Sequence, residues 1–436
     1  MNTSNKELAR RLSRVESRNI TYVSEDFPVF WESAYGSQVR DVSGCSYLDL
    51  TSAFAVSSLG HSSPAVHRAL LTQSRKMWHG MGDVHPNAVK VQLLERLSTL
   101  APRPLSVSIL SSSGADAVES ALKTARLYTR KPGVIAFTGA YHGLSYGTLG
   151  LTDRKEFSAP FRDQLAPTVV RMPFPDLLRG PSDEDVLKEL EHFLTTGGKS
   201  AAGPIGALLF EPVQGRGGIR IASSAFMKGL RAITRRHHLL LIDDEIMTGL
   251  GRTGRTFAVE HAGIVPDLLC IGKALANGFP LSACIGRPEV MAAWPPSDGE
   301  AIHTSTFLGN PLGCAMALAS LGELTSRKLA SRAGSLGRWW LSELQRELGS
   351  HPRVGDVRAL GLMVGIEFVK DKKSLSPDPE WTSRVVRESL KQGLILLSGS
   401  LSRNVLTLTP PLTISKEHLR QATKILKRVL YESPGA

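Results

Sequence analysis

Lys273 lies in Gly272-Lys-Ala-Leu275, directly after the apolar run Leu268–Ile271. An amine at the end of a buried strand, inside an apolar glycine-rich stretch, loses hydration and is easier to deprotonate. Such an amine can condense with an aldehyde. Two acidic motifs also end apolar runs: Asp243-Asp244-Glu245 follows Leu239–Ile242, and Glu211-Pro-Val-Gln214 follows Ala207–Phe210. Carboxylates at the C-terminal ends of parallel strands stand where open α/β sheets bind ligands. Gly139-Ala-Tyr-His-Gly143 follows Val134–Phe137, and Tyr141 there can cover the face of a flat ring, with His142 as a polar neighbour. Ser111-Ser-Ser-Gly-Ala-Asp116 opens a helical pattern in which Ala117, Val118, Ala121, Leu122 and Ala125 share one face. A small-residue turn at a helix start leaves free N–H groups at the positive end of the dipole, which suits a phosphate.

Each motif alone also has an ordinary reading, as a helix cap, a packed aromatic, a solvated loop acid or a surface lysine. Together they supply an anion cradle, a stacking ring, a carboxylate for a ring nitrogen and an amine for an aldehyde. Those are the contacts that pyridoxal phosphate needs. Neither G-x-x-x-x-G-K-[ST] nor G-x-G-x-x-G occurs at the Ser111–Asp116 turn, so nucleoside triphosphates and dinucleotides are not indicated.

The elements that must position these residues follow from the pattern. Between about 61 and 325, short continuous apolar runs alternate with amphipathic helices, which argues for a buried, mostly parallel sheet. Residues 1–60 combine a basic helix near Lys6–Arg18 with short extended pieces such as Tyr47–Leu50, and read as an arm and part of a small domain. Residues 326–436 carry a helix around Leu336–Leu348, an apolar run through Leu362–Phe368 and a basic helix over Lys416–Leu430, a smaller α+β domain. Pro173–Gly203 reads as an exposed insertion around one helix.

Composition narrows the partners. The 436 residues are 42% hydrophobic and 21% charged, an ordinary globular mixture. The net charge of +12 is scattered rather than blocked, so no nucleic-acid partner is expected. Ala301–Gly322 is uncharged but broken by His303, Asn310 and Pro311, so no membrane span is expected. The four cysteines, Cys45, Cys270, Cys284 and Cys314, form no C-x-x-C pair, which fits a reducing, cytoplasmic setting and core roles. Glu7 and Glu16 weigh against a mitochondrial presequence in the N-terminal helix. His85 and His237-His238 have no metal-ligand spacing, so no metal is expected.

The run Leu241-Ile-Asp-Asp-Glu-Ile-Met-Thr-Gly-Leu-Gly-Arg-Thr-Gly254 resembles the class III (subgroup II) pyridoxal-phosphate aminotransferases. So do Pro266-Asp267, Gly272-Lys273 and Thr304-Ser-Thr-Phe-Leu-Gly-Asn-Pro-Leu-Gly-Cys314, and the likeness runs from about Trp31 to Leu430. It implies the type I, aspartate aminotransferase-like fold, with a large domain built on a mostly parallel seven-stranded sheet and a smaller α+β domain. It implies a homodimer with shared sites, and an amino donor and a 2-oxo acid as substrates in a ping-pong exchange. By the same likeness Lys273 is the Schiff-base lysine and proton shuttle, and Asp244 the partner of the pyridinium nitrogen. Ser113, Gly114 and Ala115 match the phosphate cradle, Tyr141 the stacking aromatic, and Glu211 the acid near the substrate amino group. Thr306 matches a threonine that reaches the neighbouring subunit's phosphate.

Several positions depart from the family pattern. Met247 replaces a glutamine that bonds the cofactor's phenolic oxygen. Leu144 and Thr407 stand where many members place substrate-binding arginines, and Arg216 stands where many have glutamate. A donor with a less polar chain is therefore expected, with Leu144 and Phe54 lining its pocket and Arg216 binding the acceptor carboxylate. Asp243, where the family has a small or apolar residue, receives no role. The alternative activity on the same fold is a racemase or epimerase of amino acids or amino-lactams.

Overall fold

The computed structural model describes residues 4–19 and 29–432. At its centre lie seven strands: β1 (Val107–Ser111), β2 (Gly133–Phe137), β3 (Val169–Met172), β4 (Gly203–Phe210), β5 (Leu240–Asp244), β6 (Leu268–Ile271) and β7 (Ser282–Gly286). Their order across the sheet is β1-β7-β6-β5-β4-β2-β3. Strands β2 to β6 pair in parallel, and β7 runs antiparallel to both neighbours. A two-residue strand, Lys199–Ser200, adds to the start of β4.

Every residue of β2, β5 and β6 is buried, which is why these strands read as unbroken apolar runs. Strand β5 extends past Ile242 through both aspartates: Asp243 pairs in register with Phe210 and Leu269, and Asp244 with Cys270. The acids therefore belong to the sheet, where water is excluded, rather than to the loop beyond it. Because β4, β5 and β6 are adjacent and parallel, Glu211, Asp244 and Lys273 emerge side by side at one edge of the sheet. Cys270 and Cys284 are distant in sequence yet face each other across β6 and β7 as free thiols.

The helix Gly114–Thr129 follows β1 and opens with a capping box between Ser113 and Asp116. Its Ala117, Val118, Ala121 and Ala125 are buried, and it packs on β6 and β7. Pro173–Gly203 does wrap a single helix, Asp183–Thr195.

The two ends of the chain share a sheet. Trp31–Tyr35, Gln38–Asp41 and Ser46–Asp49 form antiparallel pairs, and Leu394–Ile395 joins the last of them in parallel. A second antiparallel sheet joins Val354–Leu360, Met363–Phe368, Val405–Leu408 and Leu397–Gly399. The helices Leu329–Leu348, Pro379–Lys391 and Lys416–Glu432 accompany it. The N-terminal helix Asn5–Val15 is anchored where the Asn5 amide donates to Asp41 Oδ2 at 2.8 Å.

Between the first of these small sheets and the large one, Ser52, Ala53, Phe54 and Ala55 all have positive φ, at 46°, 49°, 64° and 65°. This is a left-handed turn without a single glycine, at a cost of roughly 1–2 kcal/mol per residue. Polar ties hold it. Asp49 Oδ1 accepts from the Thr51 N–H at 2.7 Å and from its hydroxyl at 2.6 Å, and the Ser52 hydroxyl donates to the Thr409 carbonyl at 2.7 Å. The Thr409 hydroxyl donates back to the Thr51 carbonyl at 2.9 Å. The turn presents Phe54 with 57% of its surface exposed. We expect Ala53→Gly to stabilise the protein by about 1 kcal/mol, because glycine removes the left-handed penalty at that residue. A denaturant midpoint that rises at constant slope would agree. A lowered midpoint would show that packing of the Ala53 methyl outweighs the strain.

Candidate active site

Gly114, Ala115, Tyr141, His142, Glu211, Asp244 and Lys273 line one cleft of about 300 Å³ at the ends of β4 to β6. Leu144, Arg216 and Met247 line it too, and so does Ile246, which carries no signal in the sequence. Phe54 lies in an adjoining cavity. Ser113 turns its hydroxyl to its own helix, accepting from the Asp116 N–H at 3.2 Å. Thr306 is exposed and does not line the cleft.

Two close approaches build the cradle. A Cβ on Gly114 would stand 2.9 Å from Ile246 Cδ1. One on Gly143, where φ is +122°, would stand 2.7 Å from the Ala115 methyl. Gly143 needs glycine on both its backbone angle and this contact, whereas at Gly114 the end of the Ile246 side chain would have to give. The N–H groups of Gly114 and Ala115 have no acceptor among the described residues.

Asp244 is held from two sides. Its Oδ1 accepts from the Ile246 N–H at 3.1 Å, and its Oδ2 lies 2.7 Å from His142 Nδ1. With Nδ1–H donating, His142 Nε2 is left buried and without a partner among the described residues. Glu211 Oε2 accepts from the Tyr141 N–H at 3.0 Å, which fixes the loop that carries the ring. Burial, with Asp244 nearby, pushes the Glu211 carboxyl up to about 7. Burial lowers the Lys273 amine from its ordinary value and the Arg216 charge lowers it further, against the opposing pull of Asp244 and Glu211.

Arg216 stacks on Tyr141, with its guanidinium carbon 4.7 Å from the ring centroid, and makes no ion pair among the described residues. Its backbone is clamped by a residue that carries no sequence signal. Arg154 donates to the Arg216 carbonyl at 2.7 Å and to the Ser400 carbonyl at 3.1 Å, tying this loop to the C-terminal sheet.

Asp243 does not line the cleft. Its carboxyl is fully buried beside Glu245, which accepts from the Thr248 hydroxyl at 2.9 Å and the Val259 N–H at 3.0 Å. Burial and the neighbouring Glu245 charge raise Asp243 well above the usual carboxylate range, and both of its oxygens lack a hydrogen-bond partner among the described residues. Burial also raises Glu245, to about 7. Acids that hold protons more tightly folded than unfolded contribute stability that is full below about pH 4 and is lost as pH rises. For Glu211 and Glu245 the loss continues to about pH 7. We expect Asp243→Asn, which keeps a hydrogen-bond donor but has no proton to lose, to flatten this decline. Unfolding midpoints measured from pH 5 to pH 9 would show it, and an unchanged slope would contradict it.

The residues present fit pyridoxal phosphate. Unpaired N–H groups open the 16-residue helix for a phosphate, and a buried carboxylate, an aromatic face and a desolvated amine share the same cleft. Comparison with known proteins agrees. The family described as aminotransferase class-III matches residues 21–430. The chain is 36% identical over 433 residues to the 4-aminobutyrate aminotransferase GabT of Escherichia coli (strain K12), covering 99% of each. A solved aminotransferase of Bacillus anthracis superposes with a TM-score of 0.91 at 28% identity, over 97% of this chain and 98% of that one. An ornithine aminotransferase of Toxoplasma gondii, described with PLP at its active site, gives 0.85 at 28% identity, over 98% of this chain and 94% of that one. These likenesses are to transaminases, and they do not favour the racemase or epimerase alternative. The chain belongs to the class-III aminotransferases, which work with pyridoxal phosphate.

Proposed function

We propose that this aminotransferase takes a donor with an apolar chain beside its reacting carbon and holds the 2-oxo acid through Arg216. The observation that carries this reading is the Arg216 guanidinium, unpaired and stacked on Tyr141 at the wall of the cleft. A guanidinium offers a carboxylate two parallel hydrogen bonds and stays charged.

When bound, pyridoxal phosphate supplies an aldehyde and a ring that accepts electrons from the reacting carbon. The chain's own groups do the rest. The N–H groups of Gly114 and Ala115 bind the phosphate at the helix start. Asp244 would accept from the protonated ring nitrogen, with its carboxylate oriented by His142. Tyr141 would cover one face of the ring. Lys273, its amine eased toward the neutral form, would tether the cofactor through its aldehyde with loss of water and, once freed, would move the proton at the substrate's reacting carbon. The donor leaves as a carbonyl compound, and the 2-oxo acid collects the amino group in the second half of a ping-pong cycle.

Chemistry and affinity are separable in this arrangement. We expect Lys273→Ala to abolish turnover while the folded protein still binds the cofactor non-covalently, which dialysis followed by absorption spectroscopy would show. Asp244→Asn should retain cofactor and lose kcat by about 10²–10³. Full turnover in either variant would refute its assignment. We place Thr306 against the cofactor phosphate of a second subunit in a homodimer, so the same preparations should sediment as dimers.

Leu144 and Thr407 bring no cation to the substrate, whereas the family pattern places arginines at both positions. Leu144 is instead an apolar side chain, 47% exposed, at the mouth of the cleft. We expect weak turnover of 4-aminobutyrate, ornithine and acetylornithine compared with donors that have apolar chains. Arg216→Ala should raise the KM for 2-oxo acids by at least about tenfold. Efficient 4-aminobutyrate turnover would overturn the donor half of the reading, and an unchanged KM the acceptor half. We assign the protein to the cytoplasm, in keeping with a chain in which no described helix is long and apolar enough to cross a membrane.

A further inference from the structure

A second cavity, of about 220 Å³, adjoins the cleft and shares Arg216 and Met247 with it. Phe54 forms one wall, presented by the left-handed turn, and Leu396 extends the apolar lining. Thr407, a short side chain on the strand Val405–Leu408, lines the cavity as well. Arg387 reaches it from the helix Pro379–Lys391. Arg387 is exposed and forms no hydrogen bond or ion pair among the described residues. No carboxylate lines the cavity, so its two guanidinium groups set a positive field along an otherwise largely apolar channel.

We propose that this cavity binds the far end of the amino donor, as a carbon chain that ends in an anionic group paired with Arg387. The inference rests on the aminotransferase reading and names the donor class for that same site. Burial of the stem against Phe54, Met247 and Leu396 removes apolar surface from water. A cationic terminus would meet two like charges, and a neutral one would leave Arg387 unpaired. Arg216, nearer the reacting amine, remains free for the 2-oxo acid. A short donor such as 4-aminobutyrate is expected to stop short of Arg387, which lines the second cavity and not the cleft.

The test uses holoenzyme with pyruvate as acceptor. The donors are 4-aminobutyrate, 6-aminohexanoate and 8-aminooctanoate, with hexylamine and octylamine as uncharged-tail controls. We expect kcat/KM to rise with length among the acids. Half-saturation by 8-aminooctanoate should need about fivefold less donor than half-saturation by octylamine, the size of a solvent-facing ion pair. Arg387→Ala should weaken saturation by 8-aminooctanoate about fivefold and leave saturation by octylamine in place. Calorimetry with octanoate, which lacks the amine, should show the same loss of affinity in the variant. Length-independent rates, or an acid preference that survives Arg387→Ala, would overturn the proposal. If no donor turned over, the aminotransferase reading would fall, and octanoate binding to the two proteins would still decide on the cavity.

Discussion

A carboxylate taken out of water must be met by donors, and Asp244 meets that constraint at the end of β5. His142 Nδ1 at 2.7 Å and the Ile246 N–H at 3.1 Å hold its two oxygens. Burying such a group without partners costs several kcal/mol. The loop after β2 must therefore deliver His142 to β5, although the two residues are 102 positions apart in sequence. The same loop carries Tyr141, whose N–H is spoken for by Glu211 at the end of β4. One buried acid thus fixes a histidine, a ring and a second acid, and leaves Lys273 facing them from the end of β6.

The charges in the cleft are balanced rather than simply collected. Asp244 and Glu211 favour a charged Lys273, whereas burial and Arg216 favour a neutral one, and burial with Arg216 prevails. A neutral amine is the nucleophile and base that the chemistry needs. Arg216 can exert this influence because no acid neutralises it among the described residues and because its loop is clamped by Arg154. Arg216 thus brings a cation to the wall of the cleft, where Leu144 brings none. On the other side of β5, burial raises both Asp243 and Glu245 above the usual carboxylate range, so each favours its neutral form.

What could be read in the residues follows from burial on both faces. Strands β2, β5 and β6 have no solvent face, so their apolar runs stand out and the residues that follow them are placed at one sheet edge. That is why the motifs that hold Tyr141, Asp244 and Lys273 can be placed at one sheet edge from pattern, whereas the choice of Asp244 over Asp243 rests on the family resemblance. Pairings between strands and loops leave no such trace. Neither the His142–Asp244 contact nor the Cys270–Cys284 register has a local signature. The sequence puts Phe54 near the substrate but carries no mark of its left-handed turn, because Ser52-Ala-Phe-Ala55 contains none of the residues that ordinarily signal positive φ. Arg154 and Arg387 resemble any other arginine in a chain of +12 net charge, and only the packing shows what each one faces.

The hydrogen-bonded, buried carboxylate of Asp244 is the group we propose for the ring nitrogen of the cofactor. Holoenzyme reconstituted with pyridoxal phosphate carrying ¹⁵N in the ring reports the protonation of that nitrogen through its chemical shift. A pyridinium shift that persists across the pH range in which the protein stays folded is the expected result. A shift of the unprotonated ring near neutral pH would show that Asp244 does not hold the proton there, and the organisation of the cleft around it would have to be abandoned.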